Sequence, residues 1–271
     1  VLTALISASL ACAGSTESVL PVSYRATAQE NYDRGVKELA DENFTEATKY
    51  FTFVKSKFGF SKYSTLAELR LADTHFRAGR YPEAIDGYKT FARLHPTHEE
   101  VASGYCEFRV VQGHVKQMPT DWLLAPPSYE KDQTPAREAL REVEAFVERY
   151  PDSRYLGEAH QLQTDIAREL TRHELYVARF YLDRGNPKGA VFRMVGLRQR
   201  YPEAAYDAEV LWLLAQAYLK LQRWTDTKVV LAELVRRHPA DPRAADGRSL
   251  LRRLGVEPAG SPSAPTSQRH P

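Results

Sequence analysis

The chain has 271 residues, 43% hydrophobic and 27% charged, which supplies a sizeable core and argues against wholesale disorder. Thirty-seven Lys and Arg against 35 Asp and Glu leave a net charge of +2, which speaks against a nucleic-acid binder held by a large basic surface. Two cysteines exclude a disulfide framework and a four-cysteine zinc site.

Residues 1–13 read VLTALISASLACA, small and apolar without a charge. That run is too short to span a bilayer as a mature helix and fits the apolar core of an export signal. Its end, Ser9-Leu10-Ala11-Cys12, resembles the bacterial lipoprotein cleavage box, with Leu one place later than the usual pattern. The resemblance makes 1–11 the remnant of a lipoprotein signal peptide, Cys12 the lipidation site and 12–26 a lipid-anchored linker. An ordinary signal peptide with an incidental cysteine is the competing reading. Buried acyl chains contribute about 0.8 kcal/mol per methylene, so a triacylated Cys12 would anchor stably. By the same resemblance, Ala13 after the cysteine favours the outer membrane. Cys106 then has no partner in the chain and is expected in the core.

Beyond the linker no stretch reaches 18 apolar residues, and the pattern is helical throughout. Phe58-Gly59, His95-Pro96, Tyr150-Pro151, Tyr201-Pro202 and His238-Pro239 each close an amphipathic segment. Proline cannot continue a helix and biases the residue before it away from α, while Gly59 is expected as a C-cap glycine. Twelve residues before each closing position stand Ala47, Ala84, Ala139, Ala190 and Thr227. Eight before stand Phe51, Tyr88, Val143, Met194 and Leu231; five before stand Val54, Phe91, Phe146, Leu197 and Leu234. Small, large and large at these offsets is the tetratricopeptide pattern, in which the small residue lets two helices approach and the large ones fill the groove. Gly35, Ala72, Ala178 and Ala215 take the close-approach position of the first helices. One helical hairpin cannot bury its apolar face alone, so five of them should stack into an all-α superhelix.

The closing positions are separated by 37, 55, 51 and 37 residues, against a repeat period of about 34. The 55-residue gap holds Met118–Thr134 with three prolines, which reads as a loop. The 51-residue gap holds the proline-free Tyr155–Arg184, which predicts a bridging helix of roughly 40 Å. The expected organisation is an N-terminal half at 27–154 with repeats one to three, a C-terminal half at 155–255 with repeats four and five, and a disordered Pro/Ser-rich tail at 256–271.

Motifs that carry chemistry are missing. The sequence contains no GxSxG, HExxH, phosphate-binding or dinucleotide fingerprint. His95-Pro96-Thr97-His98-Glu99 has metal-ligand residue types but falls at a repeat-closing turn without a third ligand. No catalytic residue, metal or cofactor is expected.

Several stretches resemble the BamD (ComL) family of β-barrel assembly lipoproteins. Lys57–Ser64 (KFGFSKYS) resembles its turn after repeat one, and Arg93–His98 (RLHPTH) its closing turn after repeat two. Asp132–Tyr155 resembles its third unit with the insertion before it, and Glu174–Tyr181 opens its fourth; the likeness runs from about Thr27 to Arg237. The resemblance implies a non-enzymatic scaffold on the periplasmic face of the outer membrane, anchored by lipid. Implied partners are the POTRA domains of BamA, unfolded outer-membrane proteins and other Bam lipoproteins; nucleic acid is not among them. In that family the C-terminal repeats meet BamA and the N-terminal repeats are associated with substrate recognition.

One turn apart on the first helices of units one and two lie Tyr32, Val36 and Leu39, then Leu69, Asp73, Phe76 and Arg77. They are the candidate substrate-peptide groove, suited to an extended segment ending in an aromatic residue and a carboxylate, with Arg77 as the carboxylate's partner. The alternative for Leu69 and Phe76 is inter-repeat core. Matching the family's motif places the BamA-contacting arginine at Arg193, with Arg198 nearby; the alternative is a solvated surface arginine. Two other functions compete: another periplasmic repeat lipoprotein serving envelope division or pilus assembly, and a peptidoglycan-acting enzyme on a helical superhelix. The enzyme would need a separate α+β lobe for its catalytic acid, and no segment is left over for one.

Overall fold

The computed structural model describes residues 23–121, 126–202, 204 and 206–255. The expected signal remnant, Cys12, most of the linker and the tail lie outside them. The described residues contain twelve α-helices, one 3-10 turn and no strand. The chain divides into two compact units, 1–78 and 79–271.

The first unit holds α1 (Ala28–Ala40), α2 (Phe44–Lys57) and α3 (Lys62–Arg77). Helix α1 begins in a capping box, where Thr27 accepts from the Glu30 amide and the Glu30 side chain reaches back to the Thr27 amide. Leu39, Ala47, Phe51, Val54 and Ala67 form its core. Gly35 lets α1 close on the buried Phe51 ring: a Cβ there would stand 2.7 Å from that ring.

The second unit runs α4 (Tyr81–Leu94), the short α5 (Glu99–Ala102), α6 (Tyr105–Lys116), a 3-10 turn (Ser128–Glu130), α7 (Thr134–Arg149), α8 (Leu156–Asp183), α9 (Pro187–Arg200), α10 (Ala208–Lys220), α11 (Trp224–Arg237) and α12 (Pro242–Arg253). Successive long helices pack in chain order from α6 to α12. The bridging helix is α8, 28 residues and about 42 Å long, lying against both α7 and α9. The insertion is tied to α8: the Ser128 hydroxyl bonds Glu169, and His173 Nδ1 lies 2.7 Å from the Tyr129 carbonyl oxygen.

All fifteen residues at the three repeat offsets are buried, none more than 2% exposed. The turns repeat as well. First helices α1, α3, α8 and α10 are followed by a left-handed residue: Glu42, Gly79, Gly185 and Gln222. The amide one residue on, of Asn43, Asn186 and Arg223, donates to the carbonyls of Glu38, Tyr181 and Tyr218, which is the Schellman closure. Those same residues are the N-caps of α2, α9 and α11, so one short turn both ends and starts a helix. Second helices end differently. Phe58, His95, Tyr150, Tyr201 and His238 sit near φ −125 and donate to the carbonyl four residues back. Gly59 has no positive φ, so Phe58 closes α2 where a left-handed glycine was expected.

Candidate functional site

In the first unit, Tyr32 lies half-buried against Phe51 and Tyr63, with ring centroids 5.8 and 5.5 Å away. Arg70, one turn before Thr74 on α3, pairs with Asp73 and also bonds Tyr32. Burial works against its charge, but the Asp73 carboxylate and the Tyr32 hydroxyl outweigh burial and raise its pKa further. Asp73 is therefore a buried, paired group. Leu39 and Leu69 are buried as well, at 7% and 1% exposure. What the described surface offers is Val36, the edge of Tyr32, the half-buried Phe76 and part of Arg77.

Arg77 has partners already. Its Nη1 donates to the Leu39 carbonyl at 2.8 Å, its Nη2 lies 3.4 Å from Glu42, and its guanidinium sits 5.8 Å from the Phe44 ring centre. A cation at the last carbonyls of α1 meets the negative end of that helix and ties α3 to it. A ligand carboxylate at Arg77 would compete with these bonds. Phe60, in the turn before α3, is fully exposed and was not singled out by spacing.

In the second unit, Arg193 and Arg200 on α9 both reach Glu174 on α8, at 3.4 and 3.0 Å. Glu174 is only 8% exposed, so the arginines neutralise a carboxylate removed from water. Arg193 keeps about a third of its side chain in solvent. Arg198 stands over the Tyr206 ring at 5.0 Å, with Arg237 also over it at 3.9 Å. Arg198, Val195, Gln199, Pro202 and Tyr206 line a cleft of about 320 Å³. Beside it on α9, Phe192 is 77% exposed. Sequence reasoning singled out Arg193 and Arg198 as candidates and did not name Phe192, Val195 or Tyr206. The signal was present: Ala190, Met194 and Leu197 occupy the core offsets of α9, which leaves Phe192 and Val195 off that stripe. Aromatic and arginine side chains are enriched at protein interfaces, and here both kinds share one solvent-facing patch.

His95, His98 and His238 sit in contacts that hold turns and helix ends. The His95 and His98 rings lie 4.8 and 5.0 Å from the Phe91 ring, and His98 accepts the Glu100 amide to start α5. His238 Nε2 meets the Tyr206 carbonyl oxygen at 2.6 Å. Among the described residues no group of three or more His, Cys, Asp or Glu is placed to hold a metal ion. No described helix is long and apolar enough to cross a membrane. Cys106 is buried.

Comparison with known proteins adds the following. A family model described as YfiO, outer membrane lipoprotein, matches residues 25–246. The outer membrane protein assembly factor BamD of Caulobacter vibrioides is 27% identical across 98% of this chain and 84% of its own length. The BamD of Neisseria gonorrhoeae is 27% identical across 82% of this chain and 85% of its own length. Among solved structures, the TPR2AB-domain:pHSP90 complex of yeast Sti1 aligns with a TM-score of 0.42 and 14% identity, over 83% of this chain and 84% of that one.

Proposed function

This chain belongs to the YfiO family of outer membrane lipoproteins, and on that premise we propose that it is a non-enzymatic scaffold for inserting β-barrel proteins into the outer membrane. The observation that carries the reading is the family match across residues 25–246, which takes in every described helix but part of the last. Lipid on Cys12 would hold the chain at the periplasmic face, with 12–26 as its tether. The N-terminal half, 27–154, would meet unfolded outer-membrane proteins through Tyr32, Val36, Phe76 and Arg77, above the buried Leu39, Leu69 and Asp73. The C-terminal half, 155–255, would dock the POTRA domains of BamA.

The docking patch we propose is Phe192, Val195, Arg198 and Tyr206, with Arg193 at its edge. Its exposed aromatic surface gives contact area, and its guanidiniums suit a carboxylate-bearing partner. Arg193→Glu is a poor test by itself, because it would set a second carboxylate beside the buried Glu174 and cost stability. Phe192→Asp instead changes a side chain that is 77% exposed, and Arg198→Glu a half-buried one that stands over the Tyr206 ring. Each should cut the amount of POTRA-bearing barrel protein that co-purifies from solubilised outer membranes about tenfold, Phe192→Asp with an unchanged melting temperature. Wild-type recovery of the barrel protein by both variants would remove the docking patch.

A further inference from the structure

Helices α8, α10 and α12 border a cleft of about 620 Å³, lined by Arg179, Leu182, Trp212, Gln216, Lys220 and Arg243 among others. That volume is within the range of built ligand sites. Its floor is apolar: Leu182 is 5% and Leu213 6% exposed, and Trp212 packs on the same core while remaining partly open. Its rim sets Arg179, Lys220 and Arg243 against Asp183 and Glu209. Arg179 from α8 and Arg243 from α12 converge on the carboxylate of Glu209 from α10, Arg179 in direct contact and Arg243 at 3.8 Å. All three side chains keep a quarter or more of their surface in solvent. Lys220 donates to the Leu182 carbonyl at 3.1 Å and, among the described residues, pairs with no carboxylate.

The structure assigns to this cleft a site for an extended polypeptide segment that sets an aromatic or branched side chain against Trp212 and a side-chain carboxylate between Arg179 and Arg243. The inference rests on the reading of the chain as a holder of unfolded polypeptides, and it gives that reading a second contact, in the C-terminal unit. Glu209 is the reason for the choice of ligand. Its carboxylate already sits against Arg179 and 3.8 Å from Arg243, whose nearer partner is Asp241 at 3.0 Å, so an anion of that kind fits there. It is also reachable, so a ligand carboxylate can displace it. Lys220 adds a cation that pairs with no carboxylate among the described residues, and Gln216 offers a donor and an acceptor to a passing backbone.

This arrangement predicts effects of opposite sign. The probe is an N-acetylated, C-amidated octapeptide of phenylalanine and glutamate, read by fluorescence of Trp212 in the full chain carrying Trp122→Phe and Trp224→Phe. Arg179→Gln and Arg243→Gln should each weaken binding about tenfold, the loss of one charge-assisted contact. Glu209→Gln should tighten it, because the carboxylate that competes for Arg179 is gone. A glutamine version of the peptide should bind about tenfold more weakly than the glutamate version. Equal binding of the two peptides, weaker binding by Glu209→Gln, or no fluorescence change up to about 1 mM peptide overturns the site. Binding only by a glutamine peptide with a free C-terminal carboxylate overturns the side-chain assignment. Thermal melts of the arginine variants separate lost binding from lost folding. Peptide binding uses the purified chain, so its failure leaves barrel-protein capture untouched, and failed capture with intact peptide binding sinks only the docking patch.

Discussion

Gly35 and Gly157 are both helical glycines with opposite surroundings. A methyl group on Gly35 would strike the Phe51 ring, which is wholly buried and has nowhere to go. Gly35→Ala should therefore cost about 1–3 kcal/mol, outweighing alanine's better helix propensity. Gly157 has nothing within 4 Å of the same methyl, so Gly157→Ala should gain about 0.5–1 kcal/mol. Urea midpoints of the two variants check both signs. His114 on α6 offers a pH test. Burial lowers its pKa; Glu142 and Glu138 favour its protonated form, Lys89 and Arg141 oppose it. The unfolded chain thus takes up this proton more readily than the folded one. Stability from this group is present above the unfolded value of about 6.5 and falls as pH drops through it. His114→Gln should flatten that part of the urea-midpoint profile between about pH 7 and 5. At this scale the sequence was legible for the core and less so for the groove. The fifteen offset residues are all buried because burial follows helical spacing. The sequence offered Arg77 as the partner of a ligand carboxylate; its main partner in the fold, the Leu39 carbonyl, is a backbone atom that no side-chain pattern reveals.

The hairpin turn carries most of the order among elements. Glu42 and Gln222 hold a left-handed conformation that Gly79 and Gly185 hold at the equivalent positions. A side chain there costs about 1–2 kcal/mol, part of which glycine would lose again in unfolded-chain entropy. Gln222→Gly should raise stability by about 0.5–1 kcal/mol, seen as a higher urea midpoint with an unchanged slope. Proline-marked ends made the second helices easy to locate from sequence, and the long helix α8 follows from its proline-free stripe. The last helix, α12, was not anticipated, because no closing motif follows it. Asp241-Pro242, a side-chain cap followed by a first-turn proline, was its visible signal.

Among the described residues, α12 covers the outer face of α11. Its Gly247 lies against Leu231, Leu234 and Val235 of α11, and its Leu251 is buried. A chain ending at Pro239 would expose the two α11 leucines, each worth about 1.5–3 kcal/mol of burial. Its urea midpoint should fall, and light scattering should report association that the full chain does not show. The division into units at Ala78 and Gly79 was not legible, because repeat two looks like its neighbours at every offset. Helix α8 sets a different kind of boundary. It is one uninterrupted rod shared by the hairpins on either side of it, so those hairpins have no joint between them. Under mechanical load such a rod distributes strain along its whole length. The stretch from α7 to α9 would give way as a single girder, not as separate links of a chain.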